Sequence, residues 1–338
     1  MSAKKIAWVG CGTHANEMLL PQLMRHDVAL AGLCDTDPDR LSRTAARFGV
    51  ATENCFRDWK RLLAQPDLDA VGLAIGPQGH FEIGMAAIER GLPVFMEKPP
   101  AATADGAQML ADAAGRKAVP VIVGFMKPYS TANRIGLNIV GSEEFGPRAS
   151  FLGQYMTAPT YFAKDPDYSG FFLHHCVHYF DLVPRLMGEV EHVSARRHEM
   201  APGKLLLHVD FRFRSGGIGT LVMGTHQSRG TPMEFWQVMG DHRRVEVRNV
   251  HEVRYYRAPP FKVSDPAATL ADGIDTLVWE PNLTAAANED HKGYHALLGA
   301  FLDAARGKPG APTIADGARA MRLLEAAIGG TAAEAGRG

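Results

Sequence analysis

The chain has 338 residues, with 36 Lys and Arg against 37 Asp and Glu, giving a formal net charge of −1. This length favours two domains, and the balanced charge excludes the strong basic field that binds nucleic acid or an anionic membrane. No apolar run approaches the roughly 20 residues that cross a bilayer. The four cysteines have unpaired spacings and no N-terminal leader pattern occurs, so we expect a cytoplasmic protein with reduced thiols and a small-molecule partner.

The first third of the sequence alternates apolar strands with helices. Strand-like runs are separated by helix-like segments, and the runs are "KKIAWVGCG", "DVALAGLCD", "DLDAVGLAIGP", "LPVFMEKP" and "VPVIVGF". Strands that are apolar throughout suit a parallel sheet with helices on both faces, the doubly wound arrangement. Ligands of such sheets bind at the carboxyl ends of the strands.

A glycine-rich turn, "GCGTHA", lies between the first strand and the first helix. Gly10, Gly12 and Ala15 match the dinucleotide fingerprint in its G-x-G-x-x-A form, and Thr13 and His14 lie within the same turn. Gly10 permits a tight turn, and Gly12 lets the backbone approach a pyrophosphate at the helix N-terminus. We therefore assign residues 1–125 to a dinucleotide-binding Rossmann domain.

The cofactor preference is predicted from the end of the second strand. Asp35 follows Ala15 by 20 residues, where a carboxylate accepts hydrogen bonds from the adenosine ribose hydroxyls. Its negative charge opposes a 2'-phosphate, so NAD is predicted in preference to NADP. Arg40 is a nearby residue that could instead accommodate the phosphate. A capping role for Asp35 is the alternative, although Asp37 is better placed to cap the next helix.

Beyond about residue 125 longer alternating runs appear, typical of a mostly antiparallel sheet with one covered face. The runs are "PRASFLGQYM", "EHVSARRHEM", "KLLLHVDFRFR", "GIGTLVMGTH", "EFWQVMG", "RRVEVRNV" and "HEVRYYR". Residues 292–330 follow as two helices divided by "GKPGAPT". We assign residues 126–338 to an α+β domain for substrate binding and oligomerisation.

The segment "GFFLHHCVHYFD", residues 170–181, is rich in histidine. If residues 171–187 form one α-helix, four polar side chains fall within an arc of about 60°: His174, His178, Asp181 and Arg185. The opposite side is apolar, and the helix is expected to bury that side while its polar stripe faces something wet or reactive. The apolar side carries Phe172, Cys176, Tyr179, Phe180, Val183 and Met187.

Three interpretations of this stripe are open, namely catalysis or substrate binding, a metal site, and packing. His174 and His178 are four residues apart, as in helical zinc sites, but a third ligand would have to come from elsewhere. The sequence contains no His-Glu-x-x-His string. We favour catalysis or substrate binding and predict no metal.

The motifs together resemble those of the Gfo/Idh/MocA family of nicotinamide-dependent oxidoreductases. The resemblance rests on the glycine fingerprint, on Pro77 and His80 in "GPQGHFEIGMAAIERGLPVFMEKP", on Glu97-Lys98-Pro99, on "VGFMKPYS" and on the segment "GYHALLGAFLDAARGKPGAPTIADGARAMRLLEAA". It implies that Pro77, His80, Glu97 and Lys98 adjoin the cofactor. It also implies a cis Lys98-Pro99 peptide bond and a dimer or tetramer formed through the second domain's sheet.

The same resemblance assigns catalytic roles. Lys98 is expected beside the nicotinamide and the reacting hydroxyl, with His178 acting on that hydroxyl and Asp181 at the family's last acidic position. His174 stands where the family usually has an aspartate, so its catalytic role is open. Lys127 in "GFMKPYS" and Tyr161 in the loop before the histidine helix are further substrate-binding candidates, with an ordinary surface loop as the alternative for Tyr161.

The resulting hypothesis is an NAD-dependent dehydrogenase acting on a secondary hydroxyl of a sugar, sugar acid, inositol or related cyclic polyol, in either direction. His178 is the general base and Lys98 stabilises the alkoxide. Two alternatives stay open: a non-catalytic NAD(H) sensor, which would bind cofactor without turnover, and a metal-dependent hydrolase, which would be chelator-sensitive and independent of NAD.

Overall fold

The computed structural model describes residues 3–158, 167–228, 232–257, 276–281 and 291–334. Their packing divides the chain into two compact units. The first comprises Met1–Met126 and Gly293–Arg322, and the second comprises Lys127–Lys292 and Leu323–Gly338. Each unit is built around its own sheet.

The described residues contain fourteen strands and ten α-helices. The strands are β1 Lys4–Val9, β2 Val28–Cys34, β3 Cys55–Phe56, β4 Ala70–Leu73, β5 Val94–Met96, β6 Val121–Val123, β7 Arg148–Met156, β8 Val190–Ala201, β9 Lys204–Phe213, β10 Ile218–Gly224, β11 Met233–Gly240, β12 Arg244–Arg248, β13 Glu252–Tyr256 and β14 Thr276–Trp279. The helices are α1 Leu20–Leu23, α2 Pro38–Phe48, α3 Trp59–Leu63, α4 Pro77–Glu89, α5 Ala104–Lys117, α6 Thr131–Val140, α7 Ser169–Phe171, α8 Val177–Met187, α9 Tyr294–Ala304 and α10 Ile314–Glu334.

The sheet of the first unit has the strand order β3-β2-β1-β4-β5-β6, and all of its pairings are parallel. This order confirms the doubly wound prediction, with the chain reversing direction across the sheet between β1 and β4. Four residues of β1 and all of β4, β5 and β6 are buried, which explains their continuous apolar sequences. The two-residue β3 carries too little pattern to be predicted.

The first helix follows the glycine-rich turn. It begins with a π-helical turn over Ala15–Leu19 and continues into α1. Pro21 has no N–H, and its ring would clash with the carbonyl four residues earlier in a regular α-helix, which the wider turn relieves. Asp37 caps α2 as predicted, because its side chain accepts hydrogen bonds from the backbone N–H groups of Asp39 and Arg40.

The C-terminal segment departs from the predicted domain division. Gly293–Arg322 belongs to the first unit, whereas we had assigned all of residues 126–338 to the second domain. Helix α9 buries its apolar side here, with the rings of Phe301 and Phe95 5.8 Å apart. Thr313 forms a β-bridge with Ile122 on the sheet edge. The sequence shows that the helix has an apolar face, but it does not show which of the two sheets that face packs against.

The second unit contains an eight-stranded sheet in the order β14-β13-β12-β11-β7-β10-β9-β8. Its pairings are antiparallel except that of β7 with β10, so the sheet is mostly antiparallel, as predicted. The seven predicted strand runs correspond to β7 through β13. Helix α6 and strand β14 were not predicted.

The two faces of this second sheet differ in burial. One face is buried beneath helices, and the rings of Phe180 on α8 and Phe211 on β9 lie 6.0 Å apart. The other face exposes large apolar side chains, including Leu152, Ile218 and Met239. A helix long and apolar enough to span a bilayer is absent from the described ranges.

Candidate functional site

The fingerprint turn has the geometry that a bound dinucleotide requires. Gly10 has a φ of +99°, and a Cβ there would lie 2.2 Å from the carbonyl oxygen of Ala74, so only glycine fits. A Cβ on Gly12 would meet no protein atom within 4 Å, which leaves open space beside the turn. Ala15 is buried, while Thr13 and His14 are exposed. The open notch at Gly12 fits a pyrophosphate.

Asp35 is fastened to the same turn. Its Oδ2 accepts a hydrogen bond from the Cys11 backbone N–H at 2.7 Å, and its Oδ1 accepts one from Asp37 N–H at 2.9 Å. These two amide donors orient the carboxylate while leaving lone pairs for the ribose hydroxyls of a dinucleotide. Arg40 Nε lies 3.2 Å from Asp37 Oδ2 in an exposed ion pair.

Asn16 also stabilises the turn through hydrogen bonds that the sequence analysis did not predict. The side-chain amide of Asn16 donates to the carbonyl oxygen of Cys11 at 2.9 Å and to the Thr44 hydroxyl at 2.9 Å. The fingerprint is thereby tied to α2. An Asn in the first turn of a helix after a glycine fingerprint is a weak signal, because Asn commonly caps helices locally.

Glu97 is a buried carboxylate at the carboxyl end of β5. It fits into a notch that Gly124 leaves, since a Cβ there would lie 2.7 Å from the Glu97 carboxyl carbon. Its Oε2 accepts from Lys98 N–H at 3.1 Å, and its Oε1 lies 3.4 Å from His14 Nε2. Burial alone would raise the pKa of Glu97, but its contacts with His14 and Lys98 hold it below the ordinary value. The carboxylate therefore stays ionised beside Lys98.

The loop after Glu97 has the expected backbone. The Lys98-Pro99 peptide bond is cis, as the resemblance implied. Lys98 is half-buried. Pro77 lies in the first turn of α4, where a missing N–H costs nothing. These positions put Lys98 and Pro77 at the carboxyl ends of β5 and β4, the edge where ligands of doubly wound sheets bind.

His80, predicted to adjoin the cofactor, is held by backbone groups in the interior of the first unit. Its side chain is fully buried, and burial lowers the pKa of its imidazole to about 4, which keeps the ring neutral. Its Nε2 accepts a hydrogen bond from Ile75 N–H at 3.2 Å, and its Nδ1 lies 2.8 Å from the Pro99 carbonyl oxygen. Both ring nitrogens are thus engaged by the backbone, and the ring offers the dinucleotide no polar atom.

In the second unit, the histidine helix does not have the single α-helical register that we assumed. Residues Phe172–Cys176 form a π-helical turn between α7 and α8. A π turn adds a residue to the repeat and rotates everything upstream relative to an α-helical wheel. His174 is exposed, whereas His178 is only 6% exposed. The six side chains of the predicted apolar side are all buried, as expected.

The rest of the predicted polar stripe forms an internal ion pair. Asp181 is 1% exposed. Its carboxylate accepts two hydrogen bonds from Arg185, from Nε to Oδ2 at 3.0 Å and from Nη2 to Oδ1 at 2.8 Å. The expectation that the whole stripe faces a wet or reactive surface is therefore wrong. Spacing of i and i+4 on a helix lets a carboxylate pair with a guanidinium, and that pairing occupies Asp181.

Lys127 belongs to a buried cluster of the second unit. Its ammonium pairs with Glu234, which also accepts a hydrogen bond from the Tyr179 hydroxyl at 2.8 Å. The ammonium lies 4.8 Å from the centre of the Tyr179 ring. Beside this cluster, the Tyr155 hydroxyl and His175 Nδ1 are 2.6 Å apart. Lys127 is 5% exposed, and its charge is paired with the Glu234 carboxylate inside the second unit.

Glu234 was missed by sequence reasoning, although a signal exists. It alternates with Trp236 and Val238 on β11, and those two residues face the core. A carboxylate on the covered face of a strand predicts a buried basic partner. Tyr161, the remaining substrate-binding candidate, lies outside the described residues. Across the described ranges, no three His, Cys, Asp or Glu residues are grouped to hold a metal ion.

Comparison with protein families identifies the class of protein. The model described as an oxidoreductase family with an NAD-binding Rossmann fold matches residues 4–125. The model of the corresponding C-terminal alpha/beta domain matches residues 154–332. The chain belongs to the Gfo/Idh/MocA oxidoreductase family, which confirms the resemblance seen in its motifs. NAD is the cofactor that the residues around Gly12 and Asp35 fit.

Curated relatives match only part of the chain. The inositol 2-dehydrogenase of Pseudomonas savastanoi pv. phaseolicola is 32% identical over 120 residues, which are 35% of this chain and 35% of that protein. The levoglucosan dehydrogenase of Pseudarthrobacter phenanthrenivorans is 28% identical over 172 residues, 48% of this chain and 44% of that protein. The matched regions thus span less than half of these relatives.

Solved structures match the whole chain. A dehydrogenase from Chromobacterium violaceum has a TM-score of 0.86 and 27% identity, covering 100% of this chain and 97% of that one. Levoglucosan dehydrogenase in complex with NADH and levoglucosan has a TM-score of 0.81 and 20% identity, covering 98% of each chain. The second comparison shows the common fold alone.

Proposed function

We propose that the chain is an NAD-dependent dehydrogenase that oxidises a secondary hydroxyl of a sugar, sugar acid, inositol or related cyclic polyol, or catalyses the reverse reduction. The observation that carries this proposal is the pairing of an open notch at Gly12 with the Asp35 carboxylate, which backbone amides hold at the same turn. Membership of an NAD-binding oxidoreductase family, and relatives named inositol and levoglucosan dehydrogenases, support the substrate class.

The roles of the residues follow from their chemistry. When bound, NAD+ supplies the hydride acceptor. His178 accepts the hydroxyl proton as a general base, and Lys98 donates a hydrogen bond to the oxygen as negative charge develops there. The buried, ionised Glu97 is next to Lys98 in the chain and accepts a hydrogen bond from the Lys98 backbone N–H. His174, which is exposed at the π turn, binds a neighbouring substrate hydroxyl.

A substrate screen tests this proposal directly. Purified protein is incubated with NAD+ and a panel of inositols, sugars and sugar acids, and NADH formation is followed by its absorbance. We expect turnover with at least one cyclic polyol or sugar, unaffected by a chelator. NADH binding without turnover across the panel would instead indicate a sensor. Chelator-sensitive hydrolysis independent of NAD would indicate a metal-dependent hydrolase.

Cofactor preference provides a second test, at Asp35. The Asp35→Asn variant removes the charge that opposes a 2'-phosphate but keeps an oxygen that can accept from Cys11 N–H. We expect the ratio of kcat/KM for NAD to that for NADP to fall by a factor of about 10 or more, because two like charges about 4 Å apart near a protein surface repel each other by about 1 to 4 kcal/mol. Asp105→Asn, the same change of charge at an exposed position in the first turn of α5, is the matched control and should leave the ratio unchanged.

We also propose that the exposed face of the second unit's sheet joins copies of the chain into a homodimer or homotetramer. Ile218 and Leu152 are 63% and 46% exposed on this face, an unusual position for apolar side chains without a partner surface. Ile218→Lys should shift the sedimentation coefficient to that of a monomer. Met109→Lys, at an apolar position on α5 that is 55% exposed, should not. A wild-type monomer at micromolar concentration would contradict the proposal.

A further inference from the structure

His80 connects two loops at the carboxyl edge of the first unit's sheet. It lies in the first turn of α4, and its own N–H donates to the Gly76 carbonyl oxygen at 2.9 Å. The imidazole then reaches two other backbone segments, the turn at Ile75 that follows β4 and the Pro99 carbonyl that follows Lys98. His80 is thus hydrogen-bonded to the residue that directly follows Lys98, the side chain for which we propose a catalytic role.

The two hydrogen bonds define the tautomer of the ring. Because Nε2 accepts from the Ile75 N–H, it must lack a proton, so Nδ1 carries the hydrogen and donates it to the Pro99 carbonyl oxygen. Only the neutral Nδ1–H form satisfies both contacts. Full burial keeps the ring neutral because it lowers the pKa of the imidazole. The charged residues that also influence this pKa are Glu97 and Lys98.

The Ile75 turn is itself tied to the fingerprint. Ala74 N–H donates to the Val9 carbonyl oxygen at 2.9 Å, and the Ala74 carbonyl oxygen is the atom that forbids a side chain at Gly10. Glu97 N–H donates to the Leu73 carbonyl oxygen at 2.8 Å. The His80 side chain therefore adds a link, beyond the Glu97–Leu73 hydrogen bond, between the backbone that abuts the dinucleotide turn and the backbone that follows Lys98.

We propose that His80 is a positioning residue for Lys98, acting through the Pro99 carbonyl rather than by contact with cofactor or substrate. This inference rests on the proposed function, in which Lys98 stabilises the alkoxide. Displacement of a stabilising group by about 1 Å costs up to about 100-fold in rate. Loss of the His80 contacts should therefore reduce kcat and leave NADH affinity almost unchanged.

Three substitutions separate the two hydrogen bonds. His80→Leu removes both and keeps an apolar side chain in the buried space. His80→Asn can place its amide nitrogen where Nδ1 lies and so retain the donor to Pro99, whereas His80→Gln can place an oxygen where Nε2 lies and retain the acceptor for Ile75. We expect kcat to fall about 10- to 100-fold in His80→Leu and His80→Gln, and clearly less in His80→Asn.

His26 supplies the matched control in the same unit. Its half-buried ring also contacts a backbone carbonyl, that of His295 at 3.0 Å, and stacks on the His295 ring with the ring centres 4.0 Å apart. His26→Leu should lower the melting temperature without lowering kcat. A kcat of His80→Leu within twofold of wild type, an equal loss in His26→Leu, or a smaller loss in His80→Gln than in His80→Asn would overturn the proposal.

Hydrogen exchange gives a readout that does not require turnover. By mass spectrometry, His80→Leu should speed amide exchange at least tenfold in a peptide covering residues 97–101, and His26→Leu should not. Faster exchange confined to the peptide around Ile75 would show that His80 stabilises only that turn, which overturns the proposal. A wild-type protein that binds no NADH would refute the proposed function, while these exchange rates would still decide the role of His80.

Discussion

Replacement of His178 by asparagine should lower kcat by a factor of about 100 to 10,000, the range that a positioned general base contributes. His178 is 6% exposed on α8, so its imidazole is held by packing and need not be ordered when substrate binds. Asparagine is nearly isosteric with part of the ring but cannot accept a proton at neutral pH. Steady-state kinetics with the best substrate of the screen, together with NADH fluorescence titration, measures the effect.

The control for His178 is His174 on the same helix. His174 is exposed in the π turn, and the role proposed for it is binding a hydroxyl. His174→Asn should raise KM more than it lowers kcat, because it removes binding that ground state and transition state share. If His178→Asn kept a kcat within tenfold of wild type while His174→Asn did not, the two histidines would have exchanged roles.

Replacement of Lys98 by methionine should lower kcat by a factor of about 100 to 1,000, as expected for loss of one donor to a developing oxyanion. Methionine is an unbranched side chain only one atom shorter than lysine, and it removes the ammonium group. Glu97 remains buried beside it and keeps its contact with His14, so the fold should persist. The NADH dissociation constant should change by less than about threefold if Lys98 acts mainly in the transition state.

Two comparisons sharpen the test of Lys98. Lys117→Met alters an exposed lysine of α5, paired with Glu89, and should leave kcat unchanged. The double variant Lys98→Met with His178→Asn should lose much less than the product of the single losses, because groups that act on one reacting oxygen are strongly non-additive. Multiplicative losses would mean that the two side chains act in separate steps.

The parallel sheet and its fingerprint were predictable because their signals are local. Buried parallel strands have continuous apolar sequences, and the two glycines of the turn stand two positions apart, with Gly10 required by its φ and by the close approach of Ala74. The strands of the second sheet were equally clear, since one covered face enforces alternation along each strand. The membership of Gly293–Arg322 in the first unit was not predictable, because an apolar helix face fits either sheet.

The histidine helix shows where local reasoning stops. The residues that are buried on its apolar side were predicted from their spacing, but the π turn at Phe172–Cys176 changes the register of the helix. No residue in that turn signals the extra backbone spacing. Asp181 looked available as a substrate ligand until its bidentate contact with Arg185 was seen. A helical wheel shows which residues share a face of the helix, but it does not show which other side chains they contact.

The sequence by itself determined the doubly wound sheet, the mostly antiparallel second sheet and the family, because each depends on residue types repeated at short, fixed intervals. The tertiary structure decided what the candidate side chains do. His80 turns inward to the Pro99 carbonyl, and Lys127 pairs with Glu234, a residue 107 positions away. The physical reason is that a buried polar group must find a partner, and which partner is near depends on contacts between distant segments that no local pattern specifies.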